Sequence, residues 1–115
     1  MFHSDEKFEL MVDAMPLVSV DIIIYQHDSV LLGRRLNRPA KGYWFVPGGR
    51  VMKNETIVQA LARVLDKELS IATLLSEYQI KPNLLGAYEH FYADSFSGDK
   101  GISTHYVVLG HQIDL

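Results

Sequence analysis

Apolar and polar residues alternate from Leu17 to Tyr25. Val18, Val20, Ile22 and Ile24 fall on one face, with Ser19 and Asp21 on the other. With so many β-branched residues, this alternation predicts a central strand that sets a carboxylate in an apolar run. Between Glu55 and Leu69 the period changes. Ile57, Val58, Leu61, Val64, Leu65 and Leu69 recur at i, i+3, i+4 spacing, which predicts a helix with one core face and with Arg63, Asp66 and Lys67 on the other. Ser4, followed by Asp5, Glu6 and the apolar Phe8, Met11, Val12 and Met15, predicts a short capped helix ended by Pro16, with Met11 and Met15 in the core.

The remaining segments read less regularly. Gln26 to Ser29 is a turn, after which Val30 to Arg35 is expected to return as a second strand. Leu36 to Gly42, with Asn37, Pro39 and Gly42, is irregular; Tyr43 to Val46 is a short aromatic strand stopped by Pro47-Gly48-Gly49, and Arg50-Val51 resumes it. Leu84 to His90 and Ile102 to Gly110 read as strands around a polar loop, Asp94 to Gly101, while Ile71 to Pro82 follows no clear pattern. Several strands with one strong helix among them and another at the start predict an α/β (α+β) sandwich, and 115 residues form a single domain, 1–115, around one core.

Composition narrows the partners. The chain is 48% hydrophobic and 22% charged, with a formal charge of −3 and no basic block longer than Arg34-Arg35. Nucleic-acid binding is therefore disfavoured, whereas a phosphorylated small molecule held by a few arginines is allowed. The absence of cysteine removes disulfides and cysteine-based zinc sites and fits a cytoplasmic setting. Apolar runs such as Ile22 to Tyr25 are far shorter than a membrane span, and Asp5 and Glu6 stand where a signal peptide is basic, so neither anchor nor signal is expected.

The chemistry concentrates between Gly42 and Glu68, where an aromatic strand runs through Pro47-Gly48-Gly49-Arg50 into the helix carrying Glu55, Arg63 and Glu68. Glycines let backbone groups approach a ligand closely, and a nearby carboxylate is a hard oxygen ligand for Mg²⁺ or Mn²⁺. Pro-Gly-Gly alone is usually only a turn and a lone helical glutamate is usually solvated, so the argument lies in their combination. Asp21 reads either as a buried acid paired with Arg35 or as a site residue. His90 and Tyr106 read either as hydrogen-bonded core residues or as donors to a ligand. Phe8 and Phe2 suit packing as well as stacking on a base.

The spacing of Gly49, Glu55, Arg63 and Glu68 resembles the Nudix box: glycine, five residues, glutamate, seven residues, arginine, four residues, glutamate. Val64 and Lys67 stand where that pattern usually has glutamates, and Ser70 where a glycine usually closes the helix. The stretches beginning at Leu31, His90 and Thr104 resemble GDP-mannose mannosyl hydrolases over nearly the whole chain. The resemblance implies a Nudix-like α/β/α sandwich with a mixed sheet and Mg²⁺-dependent hydrolysis of a GDP-sugar at sugar C1, with inversion. By position, Glu68 and a carbonyl of Gly48 or Gly49 would hold the metal, and Arg35 and Arg50 would face the diphosphate. His90 and Tyr106 would donate to the leaving group, Asp21 would sit on the sugar side, and Phe2 or Phe8 would pack on guanine. Glu55 and Arg63 would be structural.

The resemblance also sets expectations for what differs. The family normally continues beyond the position of Gly110 through further strands, a loop and a helix, and that loop supplies another metal ligand and a histidine base. This chain is expected to lack them, with His105 and His111 unassigned to the base role, and to bury its exposed apolar surface as a homodimer. Two rival functions stay open: a catalytically disabled nucleotide-sugar binding protein and an ordinary Nudix pyrophosphatase.

Overall fold

The computed structural model describes residues 4–36, 38–69, 81–99 and 101–114, with Glu68 and Leu69 described by backbone alone. Helix α1, Asp5–Ala14, starts where the Ser4 side chain accepts the Lys7 amide at 3.3 Å, and Asp5 and Glu6 complement the positive end of its dipole. Only Val12 is buried on it. Met11 is half-buried and Met15 is 58% exposed, which corrects the expectation that both lie in the core. Val12 is the buried residue of the helix, and Met15 lies beyond its last turn as the cap before Pro16.

Strand β1, Leu17–Gln26, is the axis of a mixed five-stranded sheet. It turns through His27 and Asp28 into β2, Ser29–Val30, and pairs antiparallel with β5, Gly48–Arg50, along its first half. β6, Asn83–Tyr92, and β7, Thr104–Asp114, form an antiparallel pair, and β7 runs parallel to β1 from Leu17↔Tyr106 to Tyr25↔Asp114. The expected strand from Val30 to Arg35 is split. The β1 edge beyond the hairpin is occupied by the approach to β5, since Ile22 N–H donates to Pro47 O at 2.8 Å. Gly33–Arg34, β3, pairs instead with Trp44–Phe45, β4, in a separate ribbon. β6 is an edge strand, with Leu84, Leu85, Tyr88 and Phe91 exposed.

Helix α2, Ile57–Leu69, starts two residues later than its apolar period suggests. Thr56 and Gln59 close a reciprocal cap, with Gln59 N–H to Thr56 Oγ1 at 3.1 Å and Thr56 N–H to Gln59 Oε1 at 2.9 Å. Ala60, Leu61, Val64 and Leu65 pack on Val20, Ile22, Ile24 and Ile113 to make the core. Val58 and Ile57, both expected in that stripe, are 75% and 44% exposed, so the core face of the helix begins at Ala60. Strand alternation then leaves Ser19 and Asp21 on the face opposite α2.

Candidate active site

On that opposite face lies an open concavity of about 90 Å³, and Asp21, Arg35, Gly48, Gly49, Arg50, His90 and Tyr106 all line it. Register explains the convergence. Asp21 pairs with Gly48 across β1 and β5, Ser19 pairs with both Arg50 and Val108, and His90 pairs with Tyr106 across β6 and β7. Arg35 reaches in from the loop after β3. Its backbone closes that loop through Tyr43 O and Gly42 N, each at 2.9 Å, and its Nε donates to Pro39 O at 2.7 Å.

The site is built so that Asp21 presses on the glycine turn. A Cβ on Gly48 would collide with the Asp21 carboxylate and stand 2.8 Å from Val20 O, so only glycine fits. Gly49 rests on α2, where a Cβ would stand 3.0 Å from Val64 Cγ2. Glu55 and Arg63 lie behind the turn. Arg63 donates to Glu55 at 2.7 and 3.0 Å and to Arg50 O at 2.7 Å, and Glu55 Oε1 also accepts the Met52 amide at 3.0 Å. This pair ties the start of α2 to its middle and anchors the strand that carries Arg50. Each partner stabilises the other's charge: Arg63 holds the Glu55 carboxyl below its ordinary value, and Glu55 raises the Arg63 guanidinium.

Burial dominates the electrostatics of the concavity. It raises the Asp21 carboxyl above the ordinary value, with the electrostatic pull of His90 and Arg35 opposing. It lowers the Arg50 guanidinium and raises the phenols of Tyr92 and Tyr106, against the pull of Arg35. The outcome is an acid, two cations and two protonated phenols around one space.

Several expectations find other places. Phe8 does not line the concavity; its ring lies 4.9 Å from Phe96 and beneath the Arg50 guanidinium at 4.3 Å. Phe2 and the side chain of Glu68 fall outside the described residues. His105 stacks on Phe91 at 4.3 Å and meets Glu89 at 3.3 Å, both on the sheet face away from His90 and Tyr106. His111 is buried on the α2 face, against Leu109 O at 2.9 Å. Neither histidine lines the concavity. Sequence reasoning missed Tyr92, Ser19, Phe45 and Val46, which do line it. Two-residue alternation from His90 was the signal that could have found Tyr92.

The cation that the resemblance implies would need oxygen donors here. The donors that the resemblance implies would be the backbone of the Gly48–Gly49 turn, which rests on Val64, and position 68, one helical turn beyond Val64. Hard oxygen donors suit Mg²⁺ or Mn²⁺. Among the described residues, no three His, Asp or Glu groups could hold a metal by themselves. No helix among them is long and apolar enough to cross a membrane.

A model of the NUDIX domain matches residues 15–113. The low-salt glycan biosynthesis protein Agl8 of Haloferax volcanii is 45% identical over 112 residues, covering 96% of this chain and 67% of that protein. The ADP-ribose pyrophosphatase of Methanocaldococcus jannaschii is 36% identical over 73 residues, 64% of this chain and 40% of that protein. Among solved structures, a MutT NUDIX hydrolase from Burkholderia pseudomallei superposes with a TM-score of 0.66 at 25% identity, over 88% of this chain and 68% of that one. This chain thus spans about two thirds or less of each of these relatives.

Proposed function

This chain belongs to the Nudix hydrolase family, and on that premise we propose that it hydrolyses a GDP-linked sugar, GDP-mannose first, to GDP and free sugar by attack of water at sugar C1 with inversion. The observation that carries the reading is the convergence of Arg35, Arg50, His90, Tyr106 and Asp21 on one concavity against the glycine turn. A diphosphate leaving group needs charge neutralisation more than a proton, and two guanidiniums with planar donor forks provide it. His90 and Tyr106 add donors to its oxygens as the bond to C1 breaks.

Attack at carbon is favoured over attack at phosphorus by α2. Val64 is buried against Gly49 at one of the positions where the Nudix pattern usually has glutamates, so it offers no carboxylate for a second metal. A bound Mg²⁺, held by Glu68 and a carbonyl of Gly48 or Gly49, would supply further neutralisation of the diphosphate. Asp21 faces the sugar, and burial makes its carboxylate a stronger acceptor for a hydroxyl or for the attacking water. That a 45% identical relative is named for glycan biosynthesis supports a sugar-bearing substrate.

The test is incubation with GDP-mannose and Mg²⁺ beside a metal-free control, with products separated by chromatography. GDP and free mannose support the proposal, and Glu68→Gln should then weaken the metal dependence. Mannose phosphate and GMP mean phosphorus attack, as in a pyrophosphatase. Binding of GDP-mannose without turnover means a binding protein.

A further inference from the structure

We propose that Tyr92 is a positioning residue for His90: its phenol donates to His90 Nδ1 and so fixes the imidazole in the tautomer whose proton is on Nε2, the nitrogen left for a ligand. Residues two apart on a strand share a face, and β6 sets both side chains in the lining of the concavity. Tyr92 Oη lies 3.4 Å from His90 Nδ1, and the rings meet edge to face at 6.3 Å and 90°. Contacts of this kind are often long before a ligand tightens them. A second edge contact, Tyr92 to Tyr106 at 6.4 Å and 76°, braces the phenol from the neighbouring strand, where Tyr106 is also the register partner of His90.

The direction of the hydrogen bond follows from acidity. A phenol is a stronger donor than a neutral imidazole N–H, and an imidazole nitrogen is a stronger acceptor than a phenol oxygen, so O–H to N is the favoured arrangement. Burial raises the Tyr92 phenol, which keeps its proton at neutral pH. With Nδ1 accepting, the ring proton resides on Nε2. A histidine that turned a lone pair toward a diphosphate would repel it, whereas one that turns an N–H toward it stabilises the departing charge. That purpose rests on the proposed reaction, but the tautomer itself does not.

The test needs no substrate. In protein labelled with ¹⁵N at histidine, long-range proton–nitrogen correlation is recorded at a pH where the imidazoles are neutral, and His90 is identified by the signal lost in His90→Gln. The expected result is a pyridine-like Nδ1 and a pyrrole-like Nε2. In Tyr92→Phe, which keeps the ring and its edge contacts, both His90 nitrogens should shift toward the average of a tautomer mixture. A wild-type His90 protonated at Nδ1 overturns the proposal even if the variant does not fold, and so does a His90 pattern unchanged in a folded Tyr92→Phe. Failure of GDP-mannose as a substrate leaves the tautomer result untouched, so the two ideas fail separately.

Discussion

Asp21 and Gly48 face each other across the β1–β5 pair so closely that any side chain at Gly48 would run into the Asp21 carboxylate. The acid of the concavity and the glycine turn are therefore one structural unit. Gly48→Ala should cost about 1–3 kcal/mol of stability, the range for forcing atoms into a filled site, and should lower turnover by displacing Asp21. Gly33→Ala is the control, because a Cβ there meets nothing within 4 Å. Denaturant unfolding of the two variants checks this: equal stability would mean that Asp21 is free to move aside.

Asp21→Asn should do the reverse to stability. The folded pKa of Asp21 is raised, so the folded state holds its proton more tightly than the unfolded chain does. Its favourable contribution is full below the unfolded value, near 3.8, and is lost as pH rises through the folded value. At neutral pH the variant should be more stable than wild type by about 0.5–2 kcal/mol, as is common when a strained site residue is removed, while turnover falls. Unfolding at neutral pH and near the unfolded pKa reads the gap, which should narrow in acid. A variant less stable at neutral pH would show that Arg35 and His90 outweigh the cost of burial.

Glu55 carries the opposite sign. Its folded pKa is depressed by Arg63, so its contribution is present above the unfolded value, near 4.5, and is lost as pH falls through the folded one. Glu55→Gln should cost about 1 kcal/mol at neutral pH, since Arg63 is partly open to solvent, and much less in acid. Thermal unfolding across pH tests this; a cost that does not change with pH would remove the ion pair from the account.

The elements with a strong contrast between their two faces were legible in the sequence. β1 alternates because one face meets α2 and the other the concavity, and the buried Leu61, Val64 and Leu65 show in the helical period. Other features needed the third dimension. Val58 is apolar but exposed, Met15 lies exposed just past the end of its helix, and Val30 to Arg35 is divided because β5 already occupies the β1 edge. The resemblance picked out Asp21, Arg35, Arg50, His90 and Tyr106 far apart in sequence, and the sheet brings them together. It gave no hint that His105 and His111 face away, because one-residue alternation along β7 decides that only once the register is known. Phe8, which suits packing as well as stacking on a base, lies under Arg50.

That contact gives a further expectation. A guanidinium over an aromatic face at an accessible site is held by about 0.5–1 kcal/mol, so Phe8→Leu should weaken GDP binding by about 2–5-fold through a less ordered Arg50. Phe8→Tyr, which keeps the ring, should bind as wild type does. Calorimetric titration with GDP and Mg²⁺ distinguishes them, and equal weakening in both variants would point to helix α1 as a whole in place of the ring.

The central claim is that water attacks carbon. Hydrolysis of GDP-mannose in ¹⁸O-water, with mass analysis of both products, tests it most directly. The account predicts the label on C1 of the released mannose and none in GDP. Label in a phosphate group, with mannose phosphate as a product, would contradict it.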